Sequence, residues 1–283
     1  MTFGPSDPSG AGGIQADLLT GASLGCHVVT VTTALLVRDT ANTESVQPVA
    51  AECVDDQARC LLEDMPVKAF KVSGLYTPEA VSAVAQVVAD YPEVPLVLHL
   101  GTDSPKTTES GDEDTAEDAL LAQLELLGPQ GHVVMVDHHR LESWYSEGLL
   151  ARGDTENALQ ALLNLGPRHV FLTNVPHAGG APVNVLAEQA PQAEAWVWQT
   201  PPGSYRGVGS TLSAAIAAML ARERPLREAV IDAQRFTRRA MESAYQPGMG
   251  REVLDRFFWV RSSDDETGEG PDASPTTKDG KSG

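Results

Sequence analysis

Short runs of β-branched residues alternate with helix-patterned runs along most of this chain, and few architectures accommodate that order. Val28–Leu36, Val67–Val72, Val94–Leu100, His132–Val136, His169–Leu172 and Ala195–Gln199 read as strands. Ala50–Glu63 reads as a helix with Val54, Ala58, Leu61 and Leu62 on one side. Thr77-Pro78 supplies an N-cap and a first-turn proline for a helix that continues over Glu79–Ala89. Ala116–Leu127 and Thr155–Leu165 read as helices stopped by Gly128-Pro129 and Gly166-Pro167, and Thr211–Arg222 and Leu226–Ser243 as the last two. Strands separated by helices need crossover connections. The expected fold is therefore α/β, with three α/β/α layers around a mostly parallel central sheet. Nothing breaks the alternation before about residue 260, so residues 1–260 read as one domain.

Charge narrows the partners. Asp and Glu number 39 against 20 Lys and Arg, a net charge of −19. Phosphate-rich surfaces would be repelled, which argues against nucleic-acid or anionic-membrane binding and for small-molecule ligands. No apolar run reaches the roughly 18 residues of a membrane span, and the first ten residues carry no signal-peptide pattern. Cys26, Cys53 and Cys60 are odd in number and unpaired in spacing, which points to reduced thiols and a cytoplasmic location. The acidic run 103–118 reads as a solvated loop entering a helix, where acids suit the helix dipole. Residues 261–283 hold almost nothing apolar and read as a disordered acidic tail.

Two glycine-rich segments carry the candidate chemistry. In Gly203-Ser204-Tyr205-Arg206-Gly207-Val208-Gly209-Ser210-Thr211-Leu212, glycines let backbone approach a ligand, and Ser210 and Thr211 open an Ala-rich helix. Free amides at such a helix start bind anions; the plainer reading is a tight turn with a serine cap. The second segment is Ser6-Asp7-Pro8-Ser9-Gly10-Ala11-Gly12-Gly13-Ile14-Gln15-Ala16-Asp17. It matches neither a Walker A loop nor a dinucleotide fingerprint, and could simply be a loop capped by Asp7.

Taken in order, these loops, Thr33-Ala34-Leu35 with Asp39-Thr40, Ala69-Phe70-Lys71-Val72 and Gln246-Pro247-Gly248 with Gly250 make a specific set. The chain resembles the hydroxymethylpyrimidine/phosphomethylpyrimidine kinases of thiamine biosynthesis, in the ribokinase-like superfamily, from about residue 4 to about residue 250. The resemblance implies a ribokinase-like fold, ATP with Mg²⁺, and phosphoryl transfer to a hydroxymethylpyrimidine or its monophosphate. It implies that the amides of Gly207, Val208, Gly209 and Ser210 serve the transferring phosphoryl group. By the same likeness Asp7, Ser9, Gly10, Gly12 and Arg38 would meet the pyrimidine, Thr173 and Thr211 the nucleotide, and Glu142 the Mg²⁺. Family members are commonly homodimers.

Several positions differ from the family pattern. Ser210 stands where the family usually carries Cys, and a serine hydroxyl is a weak base, so Ser210 is either a hydrogen-bonding catalytic group or only a cap. Arg38 stands for a Gln that reads the pyrimidine edge; it offers donors and a charge, or else points to solvent. A strand that usually ends Asp-Pro-Val ends here in His99-Leu100-Gly101, and Thr173-Asn174-Val175-Pro176-His177 replaces a Thr-Gly-Gly-His segment. His138-His139 on one strand would diverge, which disfavours zinc. Too few residues precede the first loop for the family's first strand. Two further readings follow from these changes: a kinase-fold protein without catalysis that binds a pyrimidine or nucleotide for regulation, and a kinase for another small hydroxylated substrate.

Overall fold

The computed structural model describes residues 1–101, 112–150, 155, 157–189 and 193–260. In chain order the elements are β1 Thr2–Ser6, α1 Gly13–Ser23, β2 Thr30–Arg38, β3 Thr43–Pro48, α2 Ala51–Asp64, β4 Phe70–Ser73, α3 Pro78–Ala89, β5 Leu96–Leu100, α4 Asp112–Ala122, β6 Val133–Asp137, α5 His138–Glu147, α6 Ala158–Asn164, β7 His169–Val175, β8 Val183–Glu188, β9 Ala193–Val197, β10 Tyr205–Arg206, α7 Val208–Ala221, α8 Leu226–Glu242 and β11 Glu252–Val253. Helix α4 continues as a π-helical turn, Gln123–Leu127.

Nine strands form one sheet in the order β3-β2-β1-β4-β5-β6-β7-β8-β9. The run from β2 to β7 is parallel; β3, β8 and β9 pair antiparallel at its flanks. Alternate side chains of each central strand enter opposite cores. Val134, Val136, Val170 and Leu172 pack with Val54 of α2, Val84 of α3 and Leu162 of α6. Val133, Met135 and Phe171 pack on the other face with Ile216 of α7 and Phe236 of α8. Phe171 is fully buried, and burying such a ring stabilises the fold by roughly 1.5–3 kcal/mol. In α8, Ala229, Val230, Ala233, Phe236, Ala240 and Met241 form the buried stripe that seats the helix. Thr77 caps α3 as its sequence predicts, accepting from the Ala80 amide at 3.2 Å.

The structure corrects four sequence expectations. The first strand is present: β1 is central, between β2 and β4, and Pro5, which has no N–H, sits where its register with β2 slips. β3 and β8 are additional strands; β3 is polar and mostly exposed, which hides it from a hydrophobic pattern. His138-His139 open helix α5 rather than continue a strand, because Asp137 accepts from the His139 amide at 3.0 Å and caps the helix. Helix α7 begins at Val208, with Gly207 as its cap, so Ser210 is not the capping residue. The first part of the acidic run and the tail 261–283 lie outside the described residues.

Candidate active site

The carboxyl ends of parallel strands and the amino ends of α1 and α7 converge on a cleft of ≈ 380 Å³. Sheets of this kind bind ligands at that end.

The start of α7 forms the floor. Gly207 caps it at φ +87°, a left-handed conformation that glycine adopts without strain, and a Cβ there would run into the Ala11 carbonyl. The first helical bond is Thr211 N–H to the Gly207 carbonyl at 2.9 Å. The amides of Val208, Gly209 and Ser210 therefore precede the intrahelical ladder, and all three residues line the cleft. Together with the helix dipole, they make an anion cradle.

The first glycine loop closes against this floor. Asp7 is fully buried and organises its own loop. Its Oδ1 accepts from Ser9 N–H (2.9 Å) and Ser9 Oγ (2.6 Å), its Oδ2 from Gly12 N–H (2.9 Å), and Arg38 Nη1 lies 3.4 Å away. Arg256 joins the two loops. Its Nε donates to Thr211 Oγ1 at 3.0 Å, Nη2 to the Ala11 carbonyl at 2.7 Å and Nη1 to the Gly10 carbonyl at 3.4 Å. Burial pushes its pKa down to about 10, although Asp17, Tyr245, Asp7 and Asp255 favour the charged form.

The walls come from β4 to β7. On β4, Lys71 is buried and donates to Asp17 of α1 at 2.8 Å and to Ser73 Oγ at 2.6 Å. On β5, the His99 ring packs on the first turn of α7: a Cβ on Gly209 would lie 2.8 Å from its Cε1 and Nε2. Burial, with the charges of Lys71 and Arg140 nearby, pushes the His99 pKa down to about 3, so the ring is neutral. Its Nδ1 is buried and has no hydrogen-bond partner among the described residues. Asp137 ends β6, and its Oδ2 accepts from Asn174 Nδ2 at 2.7 Å. Asn174 sits at φ +58° beside the cleft. Asn tolerates that conformation better than other side chains, so it fills a position where the expected family segment has glycine.

Of the residues singled out in the sequence, Gly12, Arg38, Thr173, Gly207, Val208, Gly209 and Ser210 line the cleft together. Arg38 is turned inward, its side chain 3% exposed, not into solvent. Asp7, Ser9 and Gly10 lie behind the lining and shape the loop, and Thr211 faces Arg256 beneath the cradle. Glu142 is half-exposed on α5, 4.0 Å from His138, and does not line the cleft. Asp137, Arg140, Asn174, Arg251 and Arg256 were not singled out. Strand-end position alone would have flagged Asp137; Arg256 has no local signal.

The family model described as phosphomethylpyrimidine kinase matches residues 7–255. The hydroxymethylpyrimidine/phosphomethylpyrimidine kinase of Rhizobium meliloti is 29% identical over 262 residues, covering 91% of this chain and 96% of that protein. The thiamine biosynthesis bifunctional protein ThiED of Geobacter sulfurreducens is 28% identical over 91% of this chain, which spans only 52% of that longer protein. The pyridoxal kinase of Staphylococcus aureus, solved with AMP-PCP and pyridoxal, superposes with a TM-score of 0.75 at 21% identity, covering 92% of this chain and 93% of that one. That likeness establishes the ribokinase-like fold.

Proposed function

Since the chain belongs to the phosphomethylpyrimidine kinase family, we propose that it transfers the γ-phosphoryl group of ATP to hydroxymethylpyrimidine or its monophosphate in thiamine biosynthesis. The observation that carries this reading is the glycine-capped start of α7, where the Val208, Gly209 and Ser210 amides precede the helical ladder and line the cleft. Phosphoryl transfer depends on positioning and charge neutralisation, which such a cradle supplies. Asp137, Arg140, Thr173 and Asn174 line the side of the cleft under β6 and β7 and would take the nucleotide. Gly12 and Arg38 line the side under β1 and β2 and would take the acceptor.

Mg²⁺ fits this donor set. It is commonly held by one or two carboxylates, several waters and substrate phosphates. Asp137 lines the cleft, and each of its oxygens accepts one protein hydrogen bond, leaving lone pairs for a hydrated cation. Glu142 would reach such an ion only through other groups. Bound there, Mg²⁺ would neutralise phosphate charge. Among the described residues no group of three or more His, Cys, Asp or Glu could hold a metal unaided, so the phosphates would complete its shell.

A cytoplasmic, homodimeric protein belongs to the same reading; light scattering tests the dimer. No helix among the described residues is long and apolar enough to cross a membrane. The test of function is ADP release from pure protein with ATP, Mg²⁺ and each pyrimidine. Absence of turnover with both would refute it, and a thermal shift by pyrimidine alone would then favour the binding-only reading, to which Ser210 lends weight.

A further inference from the structure

The chain carries a net charge of −19, yet among the described residues Arg38, Arg140, Arg206 and Arg251 line the cleft beside one lining carboxylate, Asp137. Three of these cations gather at one end. Arg38 is the last residue of β2, and the loop that follows it receives both others: Arg206 Nη2 donates to the Ala41 carbonyl at 3.0 Å, and the Arg251 amide to the Thr40 carbonyl at 3.2 Å. Asp7 touches this group through Arg38, 3.4 Å from its Nη1. Asp137 and Arg140 stand at the end of β6, four strands away in the sheet order, or roughly 19 Å at the usual strand spacing. The start of α7 lies between, with Gly207 against the Ala11 loop and Gly209 against His99 on β5.

This end of the cleft is built for an anion, whereas an alcohol acceptor is neutral and must also lose a proton. Ser210, the side chain on the cradle, offers a hydroxyl, which is a poor base. His99, held neutral with its pKa pushed down to about 3, is no better. A phosphate monoester needs neither, because its second ionisation lies near pH 6 and its oxygen is already negative at neutral pH. Resting on the kinase reading above, we infer that this protein selects the phosphorylated acceptor, held by Arg38, Arg206 and Arg251, and catalyses formation of the diphosphate in preference to the first phosphorylation. In that step an ionised oxygen of the monophosphate forms the new P–O bond to the γ-phosphorus of ATP. The bond from that phosphorus to the β,γ-bridging oxygen breaks, ADP leaves with the electron pair, and no proton has to be removed from the nucleophile.

The experiment pairs kinetics with calorimetry on the full chain. Turnover with ATP and Mg²⁺ is measured for hydroxymethylpyrimidine and for its monophosphate, with ³¹P NMR identifying the product, and each acceptor is titrated calorimetrically without nucleotide. The expected result is kcat/KM at least 100-fold higher for the monophosphate, and tighter binding of it by at least 10-fold. R38Q and R251Q should each raise KM for the monophosphate by 10-fold or more with KM for ATP little changed; Arg251 is exposed, so its variant keeps the fold if Arg38→Gln does not. S210C should narrow the ratio between the acceptors by speeding the alcohol. Equal kcat/KM for the two acceptors, or equal affinity, overturns the inference while leaving the kinase reading intact. No turnover with either acceptor refutes the kinase reading, and the calorimetric preference then still decides whether this end of the cleft reads the charge.

Discussion

Replacing Arg256 with Met should cost activity far more than stability. The guanidinium is buried and joins the Gly10-Ala11 loop to Thr211. Its pKa, pushed from 12.5 down to about 10, means the fold holds the cation at a cost of about 3 kcal/mol, at 1.4 kcal/mol per unit. Met removes that cost but leaves Thr211 Oγ1 and the Ala11 carbonyl without their donor, roughly 1–3 kcal/mol each. The two effects nearly cancel, and the net loss should be about 1 kcal/mol, a shift in Tm of roughly 2–4 °C. The cradle and the loop facing it, however, are no longer tied, and a displacement of about 1 Å at a reacting centre costs about 100-fold in rate. The assay is ADP release beside a thermal melt of the same preparation. A large fall in Tm with kcat unchanged would refute the reasoning, because it would make Arg256 a structural strut and no part of the site's alignment. Arg256→Lys should recover part of the rate, since one ammonium can reach only some of the four acceptors.

The remaining predictions test separate layers. Lys71→Met should destabilise the protein by about 3–5 kcal/mol in a denaturant melt, because it strands the buried Asp17 carboxylate; a smaller loss would mean water reaches Asp17. Gly209→Ala should cost about 1–3 kcal/mol and lower kcat/KM, since its Cβ would meet the His99 ring at 2.8 Å; wild-type behaviour would show that the ring is free to move. His99 is neutral in the fold while the unfolded chain titrates at the ordinary value of 6.5. The stability it contributes is present above pH 6.5 and falls as pH drops toward 3, by about 2 kcal/mol between pH 6.5 and 5. A His99→Leu variant should show a flatter stability–pH slope over that range, and an unchanged slope would count against a buried neutral ring.

Much of the fold could be read directly. Thr77-Pro78, Gly128-Pro129 and Gly166-Pro167 mark helix boundaries by chemistry that is local, and the apolar runs 96–100 and 133–137 have both faces covered. β1 escaped because Gly4 and Pro5 are poor strand formers that the two flanking strands hold in place. Helix α7 starts earlier than Ser210 suggests because the cap is a left-handed glycine, which leaves no side-chain signature. The cradle was legible because glycines next to a helix start are a sequence pattern. The arginine cluster was not: Arg38, Arg206 and Arg251 lie on three segments that only the tertiary fold joins. The loop-organising bonds of Asp7 were equally hidden, because a carboxylate in a glycine-rich loop gives no sequence sign that it accepts from its own backbone.

The Arg256 clamp also constrains biosynthesis. It links segments 245 residues apart in the chain, so during synthesis the Gly10-Ala11 loop and Thr211 lack this shared donor until Arg256 has emerged from the ribosome. A chain stopped before residue 256 holds every strand of the nine-stranded sheet and still lacks the clamp. The alignment of the two loops is thus completed only after residue 256 is in place.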